Sequence, residues 1–172
     1  PMRCRYGVVA SIAALALANQ RQVHAGNGTM AGASAAAARC AATPIRTTHF
    51  PERGLGPLPW IVASPASAGI TGHLFYAYGL HGKAAELHIH GMMPHGRSTK
   101  ILWVIKNDGA GRTLNIAGRN LTGGGTTHQR FPAATSPIGD YPSILDVPTP
   151  GCWQFRLTSA TVQGTVTLRA IK

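Results

Sequence analysis

Eight segments of four to eight residues, rich in β-branched and aromatic side chains and separated by Gly, Pro, Asn, Asp and Ser, constrain this chain most. They are residues 60–63 (WIVA), 72–78 (GHLFYAY), 85–90 (AELHIH), 100–106 (KILWVIK), 113–117 (TLNIA), 143–147 (SILDV), 152–158 (CWQFRLT) and 165–171 (TVTLRAI). Segments of that length and composition, bounded by turn formers, are β-strands. The body of the chain has no 3.6-residue periodicity over ten or more positions, so packed helices are not expected. With 21 Gly and 12 Pro in 172 residues the chain is rich in turns. One all-β domain follows, and seven or eight short strands fit an antiparallel β-sandwich.

Alternation assigns the faces. In 152–158, Trp153, Phe155 and Leu157 share one side and Gln154, Arg156 and Thr158 the other, the pattern of a strand buried on one face. In 165–171, Val166, Leu168 and Ala170 oppose Thr165, Thr167 and Arg169, and the two segments are expected to be antiparallel neighbours. Residues 100–106 are apolar on both faces with a lysine at each end, as a central strand would be. Trp103 and Trp153 are the expected core anchors.

Ahead of this body, Met2-Arg3-Cys4-Arg5-Tyr6 is basic and residues 7–18 (GVVASIAALALA) are apolar. A bilayer core needs about 20 residues, more than this run supplies. Basic start, short apolar run and small-residue sites at 16–18 and 23–25 form the pattern of a secretory signal peptide over residues 1–25. Residues 26–39 (GNGTMAGASAAAAR) read as a flexible low-complexity linker, and the β-sandwich domain as 40–172. The protein is accordingly expected outside the cytoplasm, in the periplasm, at the cell surface or secreted. Loss of the signal peptide removes Cys4 and leaves Cys40 and Cys152, an even pair in an oxidising compartment, which reads as a disulfide. The alternative is a buried Cys152 and a free Cys40 thiol.

Residues 147–155 (VPTPGCWQF) set a corner of two prolines and a glycine before a strand that opens with Cys and Trp. This resembles the corner before the penultimate strand of immunoglobulin-like sandwiches. PTPGCW with its alternating strand is also similar to the ending of a group of uncharacterised secreted bacterial proteins. The similarity includes 100–104 (KILWV) and spans 60–172 in fragments. It implies an immunoglobulin-like fold and an extracytoplasmic location, and carries no catalytic residue with it. The chain departs from true immunoglobulin domains in that Cys40 lies far upstream of the early strands.

Metal-ligand side chains concentrate at 88–95 (HIHGMMPH). On a strand, His88 and His90 would share a face, and a turn through Gly91 and Pro94 could return His95 towards them. Three imidazoles beside a thioether suit copper or zinc. The alternative is a solvated strand face, with Met92 and Met93 covering a sheet end and no cofactor. Five acids against 16 Lys and Arg give a net charge of +11 and little material for paired carboxylates or hard-cation cages. The chain lacks the Gly-Xaa-Ser-Xaa-Gly, His-Glu-Xaa-Xaa-His and dinucleotide-binding motifs, so a non-catalytic surface or binding module is expected. The basic residues Arg97, Lys100, Lys106, Arg112, Arg119 and Arg130 form no contiguous run. An anionic cell-surface polymer or a protein is therefore a better partner than nucleic acid. Recognition is expected in the loops at 91–97, 108–112 and 123–137. Asn27-Gly28-Thr29 and Asn120-Leu121-Thr122 match the glycosylation sequon.

Overall fold

Residues that alternate apolar and polar become strands here because only that period buries one side of an extended chain. In this computed structural model the described residues are 40–48, 58–78, 86–106, 112–134, 139–160 and 162–172. The signal-peptide and linker readings, the Asn27 sequon and most of the 108–112 loop lie outside them. Among the described residues there are nine strands: β1 (Trp60–Val62), β2 (Ile70–Leu74), β3 (Leu87–His88), β4 (Lys100–Ile105), β5 (Thr113–Asn120), β6 (Thr126–Pro132), β7 (Asp140–Ile144), β8 (Gly151–Ser159) and β9 (Val162–Ile171). They form a four-stranded sheet in the order β1-β2-β4-β7 and a five-stranded sheet in the order β3-β9-β8-β5-β6. Neighbours are antiparallel except β3, which runs parallel to β9. The molecule is all-β, and its two sheets share one core, as in a β-sandwich.

β4 is central in its sheet, and β8 and β9 pair over their whole length, from Gly151 opposite Ala170 to Ser159 opposite Val162. Trp103 and Trp153 are both fully buried. Each ring nitrogen is satisfied: Trp103 Nε1 donates to Ser143 Oγ at 2.9 Å and Trp153 Nε1 to the Thr149 carbonyl at 2.8 Å. In each sheet a core aromatic lies over a glycine on the strand beside it. Gly72 is opposite Trp103, and a Cβ there would come within 2.6 Å of the indole; Gly118 is opposite Phe155, and a Cβ there would come within 2.9 Å of the ring. Between the sheets, the hydroxyls of Tyr141 on β7 and Ser159 on β8 share a buried hydrogen bond of 3.2 Å.

Besides the strand expected at 143–147, which runs over Asp140–Ile144, three segments depart from the sequence reading. The strand expected at 72–78 runs instead over Ile70–Leu74, and Phe75–Ala77 form a 3₁₀ turn that buries Tyr76 and Ala77 together. The strand expected at 85–90 is reduced to Leu87–His88, followed by 3₁₀ turns at Ile89–Gly91 and Pro94–Gly96. Within those turns His90 and His95 adopt left-handed backbone with φ of 59° and 68°, a conformation His tolerates better than most side chains do. The third segment, read as part of the 123–137 loop, is the edge strand β6. Its inward side chains are Thr127, Gln129 and Phe131, only one of them apolar, so it gives no hydrophobic alternation. Thr127 Oγ1 donates to the Asp146 carbonyl and Gln129 Oε1 accepts from the Asp146 amide, so these positions face the β7–β8 connection and polar side chains suit them.

Candidate binding face

The half of each alternating strand that does not enter the core makes a surface, and on the five-stranded sheet that surface is basic. Strand register sets its rows. Arg130, Asn115, Thr158 and Gln163 form one row across β6, β5, β8 and β9; His128, Ala117, Arg156 and Thr165 form the next; Thr126, Arg119, Gln154 and Thr167 form the third. Adjacent strands are about 4.8 Å apart and successive rows about 7 Å apart. Arg156 and Arg119 are therefore diagonal neighbours, about 8 Å between Cα atoms. Ala117 lies between His128 and Arg156, and its methyl is too short to fill the space that they and Arg119 enclose. The result is an open depression of about 600 Å³ lined also by Thr126, Thr127, Gln154 and Thr165.

Arg119 is held in place. Its Nε and Nη2 donate to Gln154 Oε1 at 3.0 and 2.8 Å, which fixes the guanidinium plane and leaves its remaining donors for a ligand. At the far end of the sheet Arg169 meets Glu86 at 3.2 Å, while Asp140 lies on β7 of the other sheet and Asp146 beside His90. Arg119, Arg130 and Arg156 thus share a face on which no carboxylate neutralises them among the described residues. Such a face can take an anion through planar, bidentate donors. It presents guanidinium, amide and hydroxyl groups rather than a nucleophile bonded to a base.

The histidine cluster does not assemble. His88 Nδ1 donates to the Lys172 carbonyl at 3.1 Å, His90 Nδ1 lies 3.7 Å from Asp146 Oδ1, and His95 sits exposed in the second 3₁₀ turn. The strand ends at His88, so the alternation that would align His88 with His90 is lost. No group of three or more His, Cys, Asp or Glu among the described residues is placed to hold a metal ion. Met92 is exposed, whereas Met93 packs against the core.

The cysteine pair is joined: Cys40 and Cys152 form a disulfide with Cα atoms 5.4 Å apart. The adjoining corner is organised by Asn120. Its Oδ1 accepts from the backbone amides of Thr122 and Gly123 and from the Thr122 hydroxyl, and its Nδ2 donates to Thr149 Oγ1 and the Pro150 carbonyl. Thr122 Oγ1 in turn accepts from the Cys152 amide at 3.0 Å. Asn120 is 8% exposed with its amide fully engaged, so in the folded chain the Asn120-Leu121-Thr122 sequon is a structural element. Gly151, at φ 139°, is required here because a Cβ would strike the Asn120 amide at 2.7 Å.

Sequence reasoning noted Arg119 and Arg130 as scattered charges and missed the sheet face they share with Arg156 and His128. The available signal was positional: Arg119, Arg156 and Arg169 each occupy the polar half of an alternating strand. Compared with protein-family models, curated proteins and solved structures, the chain matches none of them.

Proposed function

We propose that this protein is an exported, non-catalytic binding module, immunoglobulin-like in topology, that holds an anionic cell-surface partner on the outer face of its five-stranded sheet. The observation that carries the reading is the placement of Arg119, Arg156 and His128 around Ala117, with Arg130 outside the depression in the adjoining row of the same face. The immunoglobulin-like assignment is supported by the strand orders. β5–β6 and β8–β9 are hairpins of one sheet with β5 beside β8, while β4 pairs with β7 in the other, so the chain crosses between sheets in the Greek-key manner. Export is supported by the Cys40–Cys152 bond, a product of oxidising compartments, and by the basic and apolar start of the chain. Among the described residues no helix is long and apolar enough to cross a membrane.

The test is retention on a purified anionic cell-wall fraction at low and moderate salt. Arg119→Ala/Arg156→Ala should lower retention about tenfold, since both fork donors are lost. Arg97→Ala/Lys106→Ala, which removes the same charge elsewhere, should lower it less than about twofold. Equal losses from the two pairs would reduce the interaction to net charge and remove the sheet face as the site.

A further inference from the structure

The partner's chemistry can be narrowed, an inference that rests on the sheet-face reading above. We infer that the ligand is an acidic polysaccharide, one of whose anionic groups seats over Ala117 between Arg119 and Arg156. Charge selects an anion, but the spacing and the neutral neighbours select which kind. The cations are diluted by hydroxyl and amide side chains, Thr126, Gln154, Thr165 and Asn115 among them. A chain that alternates single negative charges with hydroxyl groups complements such a mosaic point for point.

The competing polyanions each need something the face does not offer. Single-stranded nucleic acid binds by stacking its bases on aromatic rings, and the three rows hold no Phe, Tyr or Trp. Duplex DNA carries a charge about every 1.7 Å, far denser than arginines about 8 to 14 Å apart across the strands. An acidic peptide or protein surface is anchored by apolar or aromatic side chains in pockets. The large exposed apolar residues Tyr78, Met92, Leu121 and Ile144 all lie off these rows. A polysaccharide needs neither rings to stack against nor apolar pockets. Arg119, its plane fixed by Gln154, presents a prepared donor edge to a carboxylate or a sulfate.

Isothermal titration of the folded protein with polygalacturonate, dextran sulfate, uncharged dextran, polyglutamate and single-stranded DNA separates the cases. The first two should bind, identifying carboxylate or sulfate as the preferred group, and dextran should not. Ala117→Leu, which fills the depression without changing charge, should weaken binding at least about fivefold, and Arg119→Lys/Arg156→Lys, which keeps charge and loses the forks, about as much. Thermal midpoints identify any variant that fails to fold, and the lysine pair then carries the test. If polyglutamate or DNA binds as tightly as the acidic polysaccharides and depends equally on Arg119 and Arg156, the polysaccharide assignment falls and the binding face stands. Should Ala117→Leu and the lysine pair both bind unchanged, the seat over Ala117 is wrong. If no polyanion responds to Arg119→Ala/Arg156→Ala, both the inference and the binding face are wrong.

Discussion

Trp153 is fully buried, bonded through Nε1 to Thr149 and stacked with Phe155 at a centroid distance of 6.2 Å. Trp153→Ala should therefore cost about 3 to 5 kcal/mol, lost burial plus the cavity left behind, read as a lower denaturant midpoint. An unchanged midpoint would contradict its place in the core. Tyr76 poses the opposite case: its hydroxyl is buried with no hydrogen-bond partner among the described residues. Burial pushes the phenol well above its ordinary value of 10.0, because the phenolate cannot be solvated there. The unfolded chain then ionises first, so its share of stability is intact below pH 10 and falls as pH rises beyond it. Tyr76→Phe should leave stability at pH 7 equal or higher by about 1 kcal/mol and reduce the loss between pH 9 and 11, followed by chemical denaturation. A lower midpoint at pH 7 would mean the hydroxyl has a partner. The tryptophan was legible in the sequence because alternation places it with Phe155 and Leu157. Tyr76 was not, since a 3₁₀ turn buries adjacent residues that a strand would send to opposite sides.

Legibility at the level of elements follows the same physics. β4, β8 and β9 were read correctly because an apolar core on one or both sides leaves a periodic trace. β6 left none: its inward positions meet the β7–β8 connection, where Thr127 and Gln129 answer backbone groups of Asp146. The 88–95 segment failed for a related reason. Its residues stay extended only as far as His88, and the left-handed backbone of His90 and His95 breaks the alternation that would have put the imidazoles on one face. The β7–β8 corner was recognisable as Pro-Thr-Pro-Gly, but the residue that fixes it, Asn120, is distant in sequence. Asn120→Ala should destabilise the domain by about 1 to 3 kcal/mol, since several polar groups lose their partners and water reaches only some of them. Asn120→Asp, which keeps the acceptor and loses the Nδ2 donors, should fall between wild type and Ala. Thermal melts of the three proteins give the order, and an Asp variant as poor as Ala would show that donation to Thr149 and Pro150 matters more than the turn at Thr122 and Gly123.

Across the whole molecule, the segment before β1 ties the two sheets together. The Thr43 amide donates to the Thr167 carbonyl, the Thr167 amide donates to Thr43 Oγ1, and Arg46 pairs with Trp60 through both backbone bonds while its guanidinium lies 4.9 Å from the indole centroid. Residues 40–46 thereby run from the edge of β9 to the edge of β1, and the disulfide anchors their start to β8. It closes a sequence separation of 112, for which the chain-entropy argument gives an upper expectation of about 4.7 kcal/mol. The Cys40→Ala/Cys152→Ala variant should lose about 2 to 5 kcal/mol, with the first losses in the 40–48 segment. Hydrogen exchange should show this as faster opening at the amides of Thr43 and Arg46 than in the core strands. The proposed sheet-face site should survive, because β5 pairs with both β6 and β8 through the backbone and Arg119 is oriented by Gln154. Polygalacturonate binding within about twofold of wild type, under conditions where the variant is folded, is the expected result. A variant as stable as wild type would show that the Thr43 and Arg46 bonds alone hold the segment. A stable fold with lost binding would make the disulfide part of the site.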